Sequence, residues 1–446
     1  MKANNFKLSC ILAILFLLYK QPAFAYSIFT HVAIIDASWE KSIQPLLLLK
    51  YPGATKEQLK EAHAFAYGGA IAPDIGYFPF GKPVFTDLIH YVRSGDFVNA
   101  LLDDAQNLDE YAFALGFLCH YMADKYGHSL ATNRCVPMVY PGEKKKYGDN
   151  VTYEDDPVAH KRMEFGFDVL QTVEGNYASD AYHDFIGFQV SRPLLERAFS
   201  ETYGLDIHDV FGDIDLSIET LRWSFRSLFP ALTKAAWIIK RKEILQAHPD
   251  ATRSHFIYKL HRANYYHEFR RKRERPGLFS GLLSLFIRIV PKVGPLRALR
   301  FKAPGPAAEK LFIGSFDTVL VNYRTALNTC RSGPADLANI DFDTGNPTIP
   351  GEYGLADKNY DLLLVNLEKN EFRLLNPALR RNILDYYSGR HAPEGSPKRL
   401  RAWSKTTEEL QLLRHAATVD PASGADNSTS PTSNFIIPAG DPVRLR

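Results

Sequence analysis

Apolar residues recur at spacings of three and four along residues 26 to about 240, the pattern of amphipathic and buried helices. The clearest stretches are Gln58–Tyr67, Asp109–His120 and Ile214–Ile239, whereas the alternating pattern of β-strands is scarce. A loop rich in Pro and Gly interrupts the helices at Ala72–Pro83. The pattern predicts an all-α, multi-helix domain over residues 26–240.

The chain changes character after this domain. Residues 240–302 hold 16 Lys and Arg against 4 Asp and Glu, and they enclose the apolar stretch 277–290. An apolar segment with basic flanks can lie in an anionic membrane interface. The alternative is a helical insertion that packs on the main domain with a solvated basic face. We assign 241–304 as this insertion and 277–300 as its candidate membrane contact.

A helical pattern returns at residues 305–416, which we predict to form a further, mainly helical C-terminal region. Its acidic stretch Asp341–Asn346 lacks the later acidic ligand of a calcium loop, and we interpret it as a turn. Residues 417–446 are rich in Ala, Ser, Thr, Pro and Asp, a composition that is typical of a disordered tail.

The first 25 residues have the three parts of an export signal. A start with two lysines precedes the apolar run Cys10–Leu18, and Ala23–Ala25 is a small-x-small cleavage site. The run is too short to cross a hydrocarbon core of about 30 Å. We therefore predict that residues 1–25 are removed, that the mature chain starts at Tyr26, and that the protein is periplasmic or secreted.

The composition excludes some classes of protein. With 46% hydrophobic residues among 446, the chain as a whole is not a disordered protein. Lys and Arg number 53 against 50 Asp and Glu, so no global basic excess points to a nucleic-acid coat. An oxidising compartment would permit a bridge between Cys119 and Cys135, but an apolar helix around Cys119 fits a buried thiol as well.

The strongest chemical signal is a set of His and carboxylate residues at helical spacing. His120, Asp124 and His128 are four residues apart, so in one helix their side chains lie near one face. His160 and Glu164 repeat the four-residue spacing. Imidazole nitrogen and carboxylate oxygen are zinc donors, and their burial is costly unless they are paired or metallated.

Further candidate ligands precede these two motifs. Asp74 lies in a loop of small residues and His90 in an apolar segment, where a turn residue and a core histidine are the alternatives. After signal cleavage Tyr26 would have a free α-amino group, which can bind a metal when it is neutral. His31 follows five residues later, and its alternative is a helix start after a Thr30 cap.

Taken in order, these residues resemble the ligand set of the zinc-dependent phospholipase C family, whose fold the fungal single-strand nucleases share. The resemblance covers residues 26–240 and implies an all-helical domain that holds three zinc ions in a cleft. It assigns one zinc to Asp74, His90, His120 and Asp124; a second to Asp124 as a bridge, His31 and the Tyr26 amine and carbonyl; and a third to His128, His160 and Glu164.

The resemblance also implies a mechanism, in which a zinc-bound hydroxide attacks phosphorus and the third zinc stabilises the leaving oxygen. Asp74 and Asp124 are the implied catalytic carboxylates, Asp74 orienting or deprotonating the nucleophile. Asp87 could accept an imidazole N–H of His90, the alternative being a surface or cap carboxylate. Aromatic side chains could line a pocket for a quaternary ammonium headgroup, or simply pack in the domain: Tyr77, Phe78, Phe80 and Tyr91.

Two departures from the family pattern bear on the expected substrate. Three residues separate Asp124 from His128, where the secreted enzymes have five; the spacing is closer to that of the phospholipase-C-like domain of glycosylphosphatidylinositol-specific phospholipase D. Tyr26 stands where the best-known enzymes have Trp. The expected function is an exported phospholipase C acting on phospholipid. One alternative is a non-catalytic membrane-surface module. The other is a nuclease that uses the same three zincs. A nucleic-acid partner is not expected, because no basic groove with aromatic residues precedes residue 240.

Overall fold

A computed structural model of the protein describes residues 28–173, 188–224, 236, 239–243, 245–246, 300–392 and 397–419. Within these residues every regular element is a helix, and the one β feature is an isolated bridge between Ile340 and Pro347. The prediction of an all-α fold is confirmed. The predicted signal peptide, Tyr26, all but the last residue of 277–300 and nearly all of the predicted tail lie outside the described residues.

The N-terminal part contains most of the helices. They are α1 (Ile28–Ser38), α2 (Gln44–Lys50), α3 (Lys56–Ile71), α4 (Pro83–Tyr91), α5 (Ser94–Asp103), α6 (Leu108–Gly127), α7 (Asn133–Val139), α8 (Pro141–Tyr147), α9 (Pro157–Val173), α10 (Arg192–Tyr203), α11 (Ile207–Val210) and α12 (Ile214–Trp223). Wider π-helical turns occupy Trp39–Ile43 and His128–Thr132, and a 3₁₀ segment occupies Ala72–Tyr77.

Helix α6 is the central element of the domain. It begins at the Asn107 cap, whose side-chain oxygen accepts a hydrogen bond from the backbone N–H of Glu110. Nearly all its residues from Glu110 to Asp124 are buried, because its sequence is apolar on every side except at the polar positions of the site. In the described part of the chain, no helix has both the length and the apolar character that crossing a bilayer requires.

Two glycines allow α3 and α6 to approach closely. A Cβ on Gly69 would collide with the carbonyl oxygen of Phe113, and a Cβ on Gly116 would collide with that of Ala66. Absence of a side chain at both positions therefore lets the two backbones pack against each other. The close approach brings the end of α3, which leads into the loop of Asp74, alongside the part of α6 that carries His120.

The C-terminal helices pack on the N-terminal part and share its hydrophobic core. They are α13 (Pro306–Ser332), α14 (Gly354–Lys369), α15 (Pro377–Ser388) and α16 (Pro397–His415). In α13 the Tyr323 hydroxyl donates to the carbonyl of Leu115 at 2.9 Å, and the Phe312 ring stacks on Phe167 at 4.4 Å. Cys119 and Cys135 are separate buried thiols, so the disulfide alternative does not occur in this structure.

Candidate metal centre

The structure brings the predicted ligands together in the core. All those within the described residues are at most 2% exposed: His31, Asp74, His90, His120, Asp124, His128, His160 and Glu164. They come from α1, the 3₁₀ segment, α4, α6, the π-helical turn after α6, and α9. Tyr26, the ninth predicted ligand, precedes the described residues, so its role stays a prediction.

One group of side chains surrounds Asp124, and we call it the Asp124 cluster: His31, Asp74, His90, His120 and Asp124. The Oδ2 atom of Asp124 lies 3.0 Å from Nε2 of His120 and 3.5 Å from Nε2 of His90. Its other oxygen, Oδ1, lies 3.4 Å from Nε2 of His31. Asp74 completes the group with Oδ1 at 3.5 Å from Nε2 of His90. Asp124 therefore contacts imidazoles through both oxygens, as a bridging carboxylate would.

A second group lies beside the first, and we call it the His128 cluster: His128, His160 and Glu164. Oε1 of Glu164 is 3.1 Å from Nε2 of His128 and 3.0 Å from Nε2 of His160. Nε2 of His128 is also 3.9 Å from Oδ1 of Asp124, so the two clusters adjoin. Helix α6 ends at Gly127, and the wider π-helical turn that starts at His128 directs this imidazole toward Glu164.

Backbone carbonyls orient two imidazoles of the Asp124 cluster. The Nδ1 atom of His120 is 2.9 Å from the Ala70 oxygen, and that of His90 is 2.9 Å from the Thr86 oxygen. A carbonyl only accepts, so each Nδ1 carries a proton, and a neutral imidazole held in this way would present the lone pair of Nε2 to the centre. Of the two alternatives for Asp87, acceptance from the His90 imidazole therefore does not occur in this structure. The Thr86 carbonyl, one helical turn before His90, has that role.

Several buried oxygens and nitrogens make no well-aligned hydrogen bond with the described residues, although the imidazoles and carboxylates approach one another to within 3.0 Å. They include both carboxylate oxygens of Asp74 and Asp124, both ring nitrogens of His160 and Oε2 of Glu164. Buried polar atoms are normally satisfied, so this concentration of donor atoms could hold a cation. Donor atoms within 4.8 Å of one another form three sets: His31, His120 and Asp124; Asp74, His90 and His120; and His128, His160 and Glu164. Nitrogen and carboxylate oxygen donors in this number fit zinc.

Electrostatics at the centre favour positive charge. Burial alone would lower the pKa of His90, but the carboxylates of Asp124 and Asp74 raise it to about 10. Burial would raise the pKa of Asp124, yet the surrounding imidazoles, His120 and His128 foremost, hold it well below its ordinary value. Burial and the neighbouring His120 lower the pKa of His31, which leaves a neutral imidazole as a metal ligand requires.

A turn of the C-terminal region completes the surroundings of the His128 cluster. The Phe342 carbonyl accepts from Nδ1 of His128 at 3.0 Å, and the Phe342 N–H donates to the His90 carbonyl at 3.1 Å. Oδ1 of Asp343 is 3.5 Å from the same Nδ1 of His128. Asp343 is held in turn by the hydroxyls of Tyr91 at 2.9 Å and Tyr353 at 2.5 Å. The predicted turn exists, but its contacts with the centre were not foreseen.

Asp168 is another residue beside the centre that the sequence analysis did not single out. It lies one helical turn after Glu164 on α9, and its Oδ2 accepts from the Phe29 N–H at 3.2 Å. Its Oδ1 is 3.4 Å from the Thr30 hydroxyl. Asp168 thus holds the start of α1, two residues before His31. The four-residue spacing from Glu164 was the available signal, since it places both carboxylates on one face.

The aromatic residues near Asp74 have different environments. Phe78 is buried in the core, and Tyr91 uses its hydroxyl on Asp343, so both have packing or positioning roles. Tyr77 remains beside the centre, with its ring 6.4 Å from that of His90 in an edge arrangement. The structure therefore does not gather Tyr77, Phe78, Phe80 and Tyr91 into one headgroup pocket.

The comparisons with known proteins agree with this geometry. Residues 30–212 match the family model described as zinc dependent phospholipase C. The matched range contains every described residue of the Asp124 and His128 clusters and ends before the turn at Phe342. No curated protein and no solved structure was found to match the chain.

Proposed function

Because residues 30–212 belong to the zinc-dependent phospholipase C family, we propose that the protein is an exported zinc phosphodiesterase that cleaves phospholipids in the phospholipase C manner. The observation that carries the proposal is the set of buried ligand groups whose donor atoms lie within 4.8 Å of one another. The oxygens of Asp74 and Asp124 contact imidazoles but accept no well-aligned hydrogen bond, which supports cation binding by these groups.

Three zinc ions are the proposed complement. Asp74, His90, His120 and Asp124 would hold one ion, and Asp124, His31 and the Tyr26 terminus a second. His128, His160 and Glu164 would hold the third. When bound, zinc acidifies water and neutralises charge on a phosphoryl group.

The carboxylates of this chain have the remaining chemical roles. Asp74 accepts no hydrogen bond from the described residues, so its oxygens are available to orient a water molecule or accept its proton. Its place in a rigid 3₁₀ segment, with the Thr86 hydroxyl donating to the Pro73 carbonyl at 2.6 Å, keeps it aimed at His90. Asp124 joins the two clusters because its oxygens reach imidazoles of both.

Export rests on the predicted signal peptide, and the two proposals support each other. Removal of residues 1–25 would create the α-amino group at Tyr26 that the second zinc uses. The chain would then acquire a complete centre only after processing. A precursor that retained these residues would lack that amine ligand, since an internal peptide nitrogen is not a base.

The experiment uses mature protein that starts at Tyr26. It is incubated with mixed phospholipids, with chelator and after zinc add-back, and the lipid product is identified by mass spectrometry. We expect diacylglycerol whose release stops with chelator and returns with zinc. Phosphatidate would instead assign cleavage on the other side of phosphorus.

Absence of any lipid product from protein that holds three zincs would overturn the phospholipase proposal. Single-stranded DNA and simple phosphodiesters would then be tested on the same preparation. Hydrolysis of DNA would select the nuclease alternative, whereas hydrolysis of neither would select the non-catalytic one.

A further inference from the structure

A lysine lies at the junction of the two clusters without an ion-pair partner among the described residues. Lys161 follows His160 on α9 and is half-buried. Its Nζ is 5.1 Å from the ring centre of Tyr153 and 5.9 Å from that of Tyr77. Burial removes part of the water around this ammonium, at a cost in free energy. The aromatic faces offset only part of that cost, because no carboxylate in the described part of the chain forms an ion pair with the ammonium.

The two aromatic rings connect this ammonium to both clusters. Tyr77 meets His90 edge-on at 6.4 Å, and Tyr153 meets His160 edge-on at 5.6 Å. The carboxylates of Glu164, Asp87 and Asp74 also lie within electrostatic range of Lys161, so the lysine faces a carboxylate from each cluster.

Occupation of the centre would change the charge that Lys161 faces. Three zinc ions carry six positive charges, while the ligand carboxylates Asp74, Asp124 and Glu164 carry three negative ones, so the loaded centre is cationic. An ammonium beside such a centre is most stable when an anion lies between them. A substrate phosphodiester has that charge.

We propose, on the premise of the proposed function, that Lys161 with Tyr77 and Tyr153 forms the headgroup subsite. It selects phospholipids whose headgroup bears hydroxyls and no positive charge. Lys161 already lies against the aromatic faces that a quaternary ammonium would need, and it repels a second cation. Its three N–H donors suit phosphoryl and hydroxyl oxygens instead.

The kinetic test compares two short-chain substrates below their micellar concentration, phosphatidylglycerol and phosphatidylcholine, so that surface charge plays no part. We expect kcat/KM to be about tenfold higher for phosphatidylglycerol. Lys161→Gln should bring the ratio close to one, mainly by raising KM for phosphatidylglycerol, and Lys161→Arg should keep most of it. Gln is a good helix former, so α9 should tolerate the change.

Lys146→Gln is the matched control. This exposed lysine also lies over a tyrosine ring, Tyr147 at 4.3 Å, but it is on α8, which carries no residue of either cluster. The control should leave the substrate ratio unchanged. Equal kcat/KM for both lipids in the unmodified protein, or an unchanged ratio in Lys161→Gln, would overturn the proposal.

A binding measurement separates this proposal from the proposed function. Calorimetry on zinc-loaded protein would compare glycerol phosphate with phosphocholine, and we expect about tenfold tighter binding of glycerol phosphate that Lys161→Gln removes. If that holds while no lipid is hydrolysed, the subsite stands and the phospholipase proposal fails. If lipids are hydrolysed but neither measurement depends on Lys161, the subsite fails and the phospholipase proposal stands.

Discussion

The Asp124 and His128 clusters have similar ligands but differ in what orients them. In the Asp124 cluster, His120 donates to the Ala70 carbonyl and His90 to the Thr86 carbonyl. Both carbonyls belong to the N-terminal part of the chain. In the His128 cluster, His128 donates to the Phe342 carbonyl, which is 214 residues away in sequence. One cluster is thus supported locally, and the other depends on the C-terminal region.

This difference shows that the extent of the family match and the extent of the site are not the same. Residues 30–212 contain all the described candidate ligands, yet the carbonyl group that orients His128 lies beyond them. Gly345 explains how the turn comes so close: its φ of +74° suits glycine, and a Cβ there would press on the Lys125 carbonyl of α6. The C-terminal region is therefore part of the centre as well as of the core.

The largest effect is expected where the two clusters meet. Asp124→Asn removes the charge that both oxygens share between the imidazoles, so we expect activity to fall roughly a thousandfold and bound zinc to fall by at least one ion. Metal content would be measured by mass spectrometry on gel-filtered protein. Asp109→Asn, in the first turn of the same helix, is the matched control. Zinc content and turnover like those of the unmodified protein would refute the bridging role.

The second prediction tests whether the clusters are separable. Glu164→Gln should cost the His128 cluster its ion, because an amide is a poorer zinc ligand than a carboxylate. We expect loss of one of the three proposed zinc ions and a fall in activity of about a hundredfold. Loss of all three ions from a folded variant would show that the 3.9 Å contact between His128 and Asp124 makes the clusters one cooperative unit.

A third, smaller effect should separate the clusters by their support. Asp343→Asn weakens the charged acceptor beside His128 and its hydrogen bonds with Tyr91 and Tyr353. Groups that orient metal-bound histidines are worth 10- to 100-fold in affinity, so we expect about tenfold weaker zinc binding at the His128 cluster alone. Competitive titration with a colorimetric chelator measures this. The exposed Asp336 of the same segment supplies the control, Asp336→Asn.

A uniform loss of affinity at all ions, or no loss, would contradict this assignment to Asp343. We expect Asp343→Glu to have weakened zinc affinity as well, because its longer side chain would displace the two tyrosine hydroxyls. The unfolding temperature should accompany the titration, because a destabilised fold would weaken every ion rather than one.

An effect as small as the third concerns the Asp124 cluster and the predicted start of the mature chain. One extra residue before Tyr26 converts its amine into a peptide nitrogen, which should weaken a single zinc by about tenfold. The same titration on extended and native forms measures it. Equal zinc affinity in the two forms would remove Tyr26 from the ligand set and leave His31 with its side-chain partners only.

Local spacing accounts for what could be predicted of the site. His120 and Asp124 lie on one helical face, and their Nε2 and Oδ2 atoms are 3.0 Å apart in the structure. The same rule applies to His160 and Glu164 at 3.0 Å. The interpretation of Asp87 as the partner of His90 used the rule too, but the carbonyl of Thr86 was nearer and left Asp87 facing the Tyr77 hydroxyl at 3.5 Å.

The sequence by itself determined the helical class and the pairs that one helix can place together, because these depend on contacts within a few residues. Only the tertiary structure decided how the pairs combine, that Phe342 and Asp343 reach His128, and that Lys161 lies between two tyrosines at the junction of the clusters. Those contacts join positions far apart in the chain, and they follow from how buried helices pack rather than from any spacing along one of them.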